Sequence, residues 1–199
     1  MTRAQGLVAV VGLALLQGCG GGSADSAAVD VIEVPQGRFH CASIGGGLAT
    51  IEAGCVSCRK DAIANPEHAI DMDLATPMVI NTYHPEDLAN QQTIITVKAT
   101  AQKGVVFPAG SSGGIAIQLP TGTPRYNISV QTFLEGKLQS THEETGYTHP
   151  EGRFHYVGFD PYGTSIPFDT VQMVLVETEP NLEEHVYRVL EICGDGGLN

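Results

Sequence analysis

Residues 93–100 read Thr-Ile-Ile-Thr-Val-Lys-Ala-Thr, and residues 126–134 read Tyr-Asn-Ile-Ser-Val-Gln-Thr-Phe-Leu. In both stretches apolar side chains alternate with other residues, which is typical of a strand that buries one face. The residues that share the apolar face are Ile95, Val97 and Ala99 in the first stretch and Tyr126, Ile128, Val130 and Leu134 in the second. Both stretches therefore predict half-buried strands of an antiparallel sheet.

Similar short runs recur between turn clusters along the rest of the chain. They are Val29–Val34, Arg38–Ser43, Gly114–Leu119, Lys137–His142, Phe154–Phe159, Thr170–Thr178 and His185–Cys193. The sequence contains 24 Gly and 11 Pro, which suits many strands joined by turns. Only Pro85–Gln91 has a helical pattern. We expect an all-β fold, a single antiparallel β-sandwich that spans residues 29–199.

The charge balance excludes some classes of partner. The chain of 199 residues has 22 acidic and 10 basic residues, a formal net charge of −12. Nucleic acids and anionic lipid surfaces attract clustered Lys and Arg, which this chain does not offer. Hydrophobic residues make up 42% of the sequence, which is enough for a core and too much for a disordered chain.

The first residues have the pattern of an export signal. Arg3 precedes the apolar run Leu7–Leu16, which is too short to cross a bilayer, since a spanning helix needs about 20 residues. The run ends in Leu16-Gln17-Gly18-Cys19, which resembles the lipobox of bacterial lipoproteins. The alternative is an ordinary secretory signal that is cut near Ala24 or Ala28.

The lipoprotein resemblance implies a membrane anchor. It implies that residues 1–18 are removed and that Cys19 carries acyl chains such as palmitate, which hold the protein on a membrane. Residues 19–28 form a Gly- and Ser-rich stretch, which predicts a flexible tether. In a Gram-negative host, Gly20 after the lipidated Cys implies the outer membrane.

The four other cysteines, Cys41, Cys55, Cys58 and Cys193, are predicted to form disulfides, since exported proteins reach an oxidising compartment. Three connectivities are possible. A bridge from the Cys55–Cys58 pair to Cys193 would join the two ends of the domain. Cys55-Val-Ser-Cys58 is also a C-x-x-C motif, but Arg59 stands where a c-type haem site needs His. A zinc ribbon needs a second C-x-x-C motif and a thioredoxin-like redox site needs a surrounding βαβ unit, and this sequence has neither.

Two stretches resemble galactose-binding-like β-sandwiches, the group that includes discoidin domains and many carbohydrate-binding modules. Residues 65–76, Asn-Pro-Glu-His-Ala-Ile-Asp-Met-Asp-Leu-Ala-Thr, are similar to that group's A-x-D-G-x-x-x-T-x-W segment. Met72 replaces the usual Gly, and Met78 stands where Trp is common. Residues 189–194, Val-Leu-Glu-Ile-Cys-Gly, are similar to the group's final strand.

The resemblance implies a structural calcium ion where these two stretches meet. The implied ligands are the Ala69 carbonyl, the side chains of Asp71 and Asp73, Thr76 and Glu191. Calcium prefers such oxygen ligands. The alternative is that Asp71 and Asp73 only cap a turn through Asx hydrogen bonds.

A stretch rich in aromatic and polar residues is the candidate ligand-binding surface. In the galactose-binding-like group the ligand sits in loops at one end of the sandwich, and the residues proposed for such a surface here are Tyr147, His149, Arg153, His155 and Tyr162. A zinc site made with Glu143, Glu144 or Glu151 lacks a fixed ligand spacing. The acidic stretch Glu177–Glu184 predicts a solvated loop.

The sequence offers no catalytic residues. Gly110-Ser-Ser-Gly-Gly114 matches G-x-S-x-G, but a strand pattern follows where a nucleophile elbow needs a helix, so a turn is predicted. We therefore expect a non-catalytic, lipid-anchored binding module for a glycan or an envelope partner. The alternative is a structural subunit of an envelope assembly that has no small-molecule ligand.

Overall fold

The computed structural model describes residues 39–45, 48–82, 92–120, 126–145, 154–160, 162–177 and 185–198, all within one unit, Val31–Asn199. Across these ranges it contains a 3₁₀ helix, Pro66–Ile70, and eleven strands. The strands are β1 (Phe39–Ser43), β2 (Thr50–Val56), β3 (Ile63–Ala64), β4 (Met78–Asn81), β5 (Thr93–Thr100), β6 (Gly114–Gln118), β7 (Tyr126–Leu134), β8 (Lys137–Thr145), β9 (Phe154–Gly158), β10 (Thr170–Glu177) and β11 (Val186–Leu198).

The strands form two antiparallel sheets that pack face to face, which confirms the predicted β-sandwich. The first sheet has the order β3-β4-β11-β6-β9, with β1 also paired to β11, and the second has the order β2-β5-β10-β7-β8. Their facing side chains form one hydrophobic core. Such a core is the stable arrangement for sheets with one apolar face each.

In residues 93–100 and 126–134 the predicted alternation of apolar residues corresponds to the observed burial. Along β5 the apolar positions Ile95, Val97 and Ala99 are fully buried, and along β7 the inward positions run to Thr132. Leu134 was expected on the same face but is only half-buried. A register shift in the pairing with β8 between Thr132 and Phe133 breaks the alternation there.

Strand β11 is the centre of the first sheet and has two successive partners on one edge. Residues 186–189 pair with β4, and residues 193–198 pair with β1. The other edge pairs with β6. Between these partners, residues 190–192 of β11 have no paired strand residue on this edge, although the Ile44 amide donates to the Ile192 carbonyl at 3.1 Å. Glu191 lies in this gap between the two partner strands.

Most of the predicted strands correspond to observed ones, but three segments were missed: β2, the two-residue β3 and β4. The strands predicted at Lys137–His142 and His185–Cys193 are longer than expected, since β8 and β11 continue to Thr145 and Leu198. The predicted strand Val29–Val34, the predicted helix Pro85–Gln91, the signal segment and the tether lie outside the described residues.

Two disulfides connect the four cysteines. Cys41 on β1 is bonded to Cys193 on β11 across 152 residues, and Cys55 is bonded to Cys58. The long-range bridge that joins the ends of the domain is therefore made by Cys41. The sequence left three pairings open; the possible bridge from the Cys55–Cys58 pair to Cys193 does not form, because these two neighbours bond to each other.

None of the helical structure found in the described ranges is long and apolar enough to cross a bilayer.

Candidate functional site

One end of the sandwich, here called the loop end, is formed by the ends of β2, β4, β6, β8 and β10 and the starts of β3, β5, β7, β9 and β11. In the second sheet Glu177, Thr93 and Tyr126 lie side by side at this end, and in the first sheet Gln118 is paired with Phe154. The connections 83–91, 121–125, 146–153 and 178–184 start and finish at this end. The opposite end, here called the hairpin end, carries the β7–β8 turn and the connections after β5 and β9.

A histidine–carboxylate pair borders the loop end where β8 and β9 finish and start. His155 Nε2 lies 2.5 Å from Glu144 Oε1, and both side chains are about a quarter exposed. The pair joins strands of different sheets, since β8 belongs to the second sheet and β9 to the first. Both side chains are therefore partly accessible from solvent, and they flank segment 146–153 in the sequence.

A second pair lies deeper at the same end. His185 Nδ1 lies 2.5 Å from Glu177 Oε1, and Glu177 is fully buried. The expectation that Glu177 lies in a solvated loop was wrong, because it is the last residue of β10 and faces inward. Glu177 and His185 stabilise each other, since a buried carboxylate requires a partner.

Two tyrosines pack beside this buried pair. The rings of Tyr126 and Tyr187 meet edge to face with their centroids 6.0 Å apart. Burial, together with the negative charge of Glu144, raises the pKa of Tyr126 to about 12. Burial also raises the pKa of Tyr187, and Glu177 and Tyr126 add to the effect. Both phenols therefore stay neutral and form a largely apolar layer below the loop end.

The structure places two of the five predicted ligand-binding residues, and it places them apart. His155 is at the start of β9, at the loop end, whereas Tyr162 follows the far end of β9. Tyr162 is 92% exposed and lies at the hairpin end, where the adjacent Gly163 contacts the backbone of Gly110. Tyr147, His149 and Arg153 lie outside the described residues.

The predicted metal-binding stretch forms a tight loop after the 3₁₀ helix, which buries Ala69. The Asp71 carboxylate accepts a hydrogen bond from the Asp73 amide at 2.8 Å, and the Asp73 carboxylate accepts one from the Ala75 amide at 3.0 Å. The Thr76 hydroxyl donates to Asp71 Oδ2 at 3.4 Å. The first two contacts are the Asx hydrogen bonds of the alternative interpretation.

Glu191 contacts this loop from the gap in the edge of β11. Its Oε2 accepts a hydrogen bond from the Met72 amide at 2.9 Å, so the two stretches that carry the family resemblance are in contact. Met72 has φ = 66°, in the left-handed region that Gly occupies at little cost. Burial raises the pKa of Glu191 to about 7; hydrogen bonding from Ser43 and Met72 lowers it, and the negative charge of Asp71 raises it.

The oxygen atoms at this contact are of the type that bind a hard cation such as calcium. Glu191 Oε1 is buried without a hydrogen bond of good geometry, although the Ser43 hydroxyl is near enough to lower the pKa. A cavity of about 160 Å³ opens beside Glu191, between Ser43 and Leu74. Across the described ranges, no three side chains of His, Cys, Asp or Glu form a ready-made metal cluster. A cation here would therefore need carbonyl and hydroxyl oxygens from the loop as well.

The G-x-S-x-G match is a turn, as predicted. Gly110 has φ = 97°, the Ser111 amide donates to the Pro108 carbonyl at 3.1 Å, and β6 follows at Gly114. The Ser112 amide donates to Asp195 Oδ1 at 2.7 Å, which fastens the turn to β11.

Sequence reasoning overlooked Glu177 and His185 as a pair and gave Glu144 no specific partner. The sequence signal for this pair was weak. Glu177 occupies a position of its strand where the alternation predicts a buried apolar residue, and His185 stands at the start of the next strand. The contact of Glu144 with His155 depends on strands of two different sheets, which the local sequence does not report.

Comparisons with solved structures find carbohydrate-binding and discoidin-type modules. The structure is similar to the family 32 carbohydrate-binding module of C. perfringens NanJ, solved in complex with galactose, at 13% identity and a TM-score of 0.44, covering 78% of this chain and 96% of that one. An F5/8 type C domain from Bacteroides fragilis matches at 11% identity and a TM-score of 0.41, over 81% and 96% of the two chains. A chitosan-binding module from Paenibacillus sp. IK-5 matches at 12% identity and a TM-score of 0.39, over 79% and 98%. The sequence matches no family model and no curated protein. At these identities the likeness concerns the path of the backbone alone.

Proposed function

We propose that this chain is a lipid-anchored cell-envelope protein whose β-sandwich is a non-catalytic module that binds a glycan at the loop end. The observation that supports it is the partly exposed pair of Glu144 and His155 at the border of that end. Sugars present adjacent hydroxyl groups that both donate and accept hydrogen bonds. Carboxylates and imidazoles both form hydrogen bonds with hydroxyl groups, and a sugar hydroxyl that binds here would exchange with, or bond beside, the contact between Glu144 and His155.

The surroundings of the pair suit such a ligand. The rigid ends of β8 and β9 hold Glu144 and His155 on either side of segment 146–153, whose sequence supplies Tyr147, His149 and Arg153. Aromatic faces and Arg side chains are the groups that complete sugar sites in proteins. Such a module would need no catalytic residues, because hydrogen bonds and stacking are enough to bind a sugar.

A glycan array with the soluble domain, residues 20–199, tests the proposal. We expect binding to at least one glycan class and its loss in His155→Ala and in Glu144→Gln. Tyr162→Ala, at the hairpin end, is the matched control and should keep the signal. If wild-type protein binds no glycan, or if only Tyr162→Ala abolishes binding, the loop end is not the glycan site.

The membrane anchor is the second part of the proposal and is supported by the lipobox-like residues Leu16–Cys19. We expect mass spectrometry of the mature protein to find an acylated N-terminal Cys19 and fractionation of a Gram-negative host to place it in the outer membrane. Cys19→Ala should release the protein in soluble form. An unmodified mature N-terminus near Ala24 or Ala28 would instead establish an ordinary secretory signal.

Calcium at the contact between loop 71–76 and β11 is the third part. The proposed ligands are the Ala69 carbonyl, Asp71, Asp73, Thr76 and Glu191. Support comes from the buried Glu191 carboxylate beside Asp71, because a cation would offset the repulsion between the two negative charges. Melting curves with calcium and with chelator should differ in wild type and coincide in Asp71→Asn. Coincident curves for wild type would dismiss the ion.

A role as a subunit of an envelope assembly is the alternative, and one feature favours it. Val105, Val106 and Ile166 are exposed at the hairpin end, on two connections that are joined by backbone hydrogen bonds between Phe107 and Phe168. Exposed apolar groups of this kind occur at protein interfaces. Co-purification of a fixed partner that is lost in Val106→Ser/Ile166→Ser would support the assembly role over glycan binding.

A further inference from the structure

The two disulfides occupy opposite environments. Cys193 is fully buried and its bond to Cys41 joins β1 to the central strand β11. Cys55 and Cys58 are both partly exposed and lie three positions apart in the sequence. Within the described sheets, β2 has a strand neighbour on one side only, so Cys55 lies on an edge strand. The short bridge can be reached from solvent, whereas the long one is enclosed.

The short bridge lines an open cavity of about 390 Å³. The two cysteines share this cavity with Gly54, Arg59, Lys60 and Pro66, among others. A small thiol, or the thiol of a protein side chain, has room to approach the sulfur atoms.

Two cationic side chains, Arg59 and Lys60, line the cavity. Arg59 follows Cys58 directly and is ion-paired with Asp61 at 3.1 Å, with both side chains well exposed. Lys60 is exposed and lines the same cavity. Cationic surroundings attract the attacking thiolate and stabilise the thiolate that leaves, which are the two charged species of thiol–disulfide exchange.

The rest of the fold does not depend on the short bridge. It closes a turn between β2 and β3 in which Ser57 has φ = 55°. A hydrogen bond of 3.4 Å from the Thr93 hydroxyl to the Ser57 carbonyl holds this turn to β5. The seven residue pairs between β2 and β5 hold the strand in place independently of the sulfur bond.

We propose that Cys55–Cys58 is a thiol–disulfide exchange site for an anionic thiol, distinct from the structural Cys41–Cys193 bridge. A thiolate attacks one sulfur, the bond between the two cysteines breaks, a mixed disulfide forms and the other cysteine leaves as a thiolate. A second thiolate then attacks the mixed disulfide and releases the second cysteine. The protein disulfide is reduced to two thiols, and two molecules of the external thiol are oxidised to their disulfide.

Graded reduction of the native full-length chain tests the proposal. The protein is treated with increasing dithiothreitol, quenched in acid, alkylated and mapped by peptide mass spectrometry, so that Cys19 is scored separately. We expect Cys55 and Cys58 to become alkylated at a dithiothreitol concentration at least about tenfold below that which opens Cys41–Cys193, with unchanged circular dichroism. Reduction of Cys41–Cys193 first, or of neither pair before unfolding, would overturn it.

A second arm tests the role of charge. Glutathione carries net negative charge and cysteamine carries positive charge, and both reduce disulfides. In Arg59→Gln/Lys60→Gln the rate with glutathione should fall roughly threefold or more, while the rate with cysteamine should not fall. Lys98→Gln on the neighbouring β5 is the matched control and should leave both rates unchanged. Equal changes for both reagents would refute the anionic preference.

Discussion

Replacing Cys41 and Cys193 by alanine should destabilise the domain far more than replacing Cys55 and Cys58. The chain-entropy relation for cross-links gives about 5 kcal/mol for a closed loop of roughly 150 residues and about 2 kcal/mol for a loop of four. The separations of 152 and 3 residues assign these values to the two bridges. The expected difference in the free energy of unfolding is therefore about 3 kcal/mol.

Urea unfolding of the two double variants under non-reducing conditions, followed by circular dichroism, measures this difference. Each variant is compared with wild type at equal pH and calcium concentration, because a bound ion would stabilise the folded state. The m-value serves as the control, since a changed slope would reveal a changed unfolded state. Equal losses for both variants, or a larger loss for Cys55→Ala/Cys58→Ala, would refute the argument from loop closure.

Three further predictions concern single positions. Met72→Gly should stabilise the domain by about 0.5–1 kcal/mol, because glycine adopts the left-handed backbone conformation of this exposed position without strain. Ala75→Gly is the control and should not stabilise the domain. Thermal melting of both variants measures the difference. Gly194→Ala should destabilise by about 1–3 kcal/mol in urea unfolding, because its Cβ would lie 2.0 Å from the Phe107 ring, and normal stability would contradict the packing. The pKa of Glu191 is about 7 in the folded protein against an ordinary 4.5, so protonation of Glu191 stabilises the folded state. In the presence of chelator, the free energy of unfolding of wild type should therefore rise relative to that of Glu191→Gln as the pH falls from about 7 to 4.5. Parallel pH profiles of the two proteins would contradict this.

The sandwich was predictable wherever one face of a strand is buried and the other is not. Strands β5 and β10 alternate cleanly because each lies inside a sheet that is covered on one side. Edge strand β2 was missed because its exposed positions impose no apolar pattern on Thr50–Val56. Strand β4 was missed because four residues are too few to show a period.

The candidate site was predictable only in part, because its contacts join residues that are distant in sequence. The approach of Glu191 to the loop after the 3₁₀ helix followed from two short motifs at either end of the domain. The disulfide partner of Cys41 did not follow, since spacing does not distinguish among three pairings. The Glu177–His185 contact depends on how β10 and β11 face each other across the two sheets, which periodicity within either strand does not encode.

The position of β10 and β11 sets an order of assembly. Each is the middle strand of its sheet, yet they are the last two of the described strands in chain order. Neither sheet can be completed until residues 170–198 are available, so the sandwich can close only after these residues have left the ribosome. If the export signal proposed above acts on this chain, such late closure would leave the polypeptide unfolded during transport and delay the final folding until residues 170–198 have crossed the membrane.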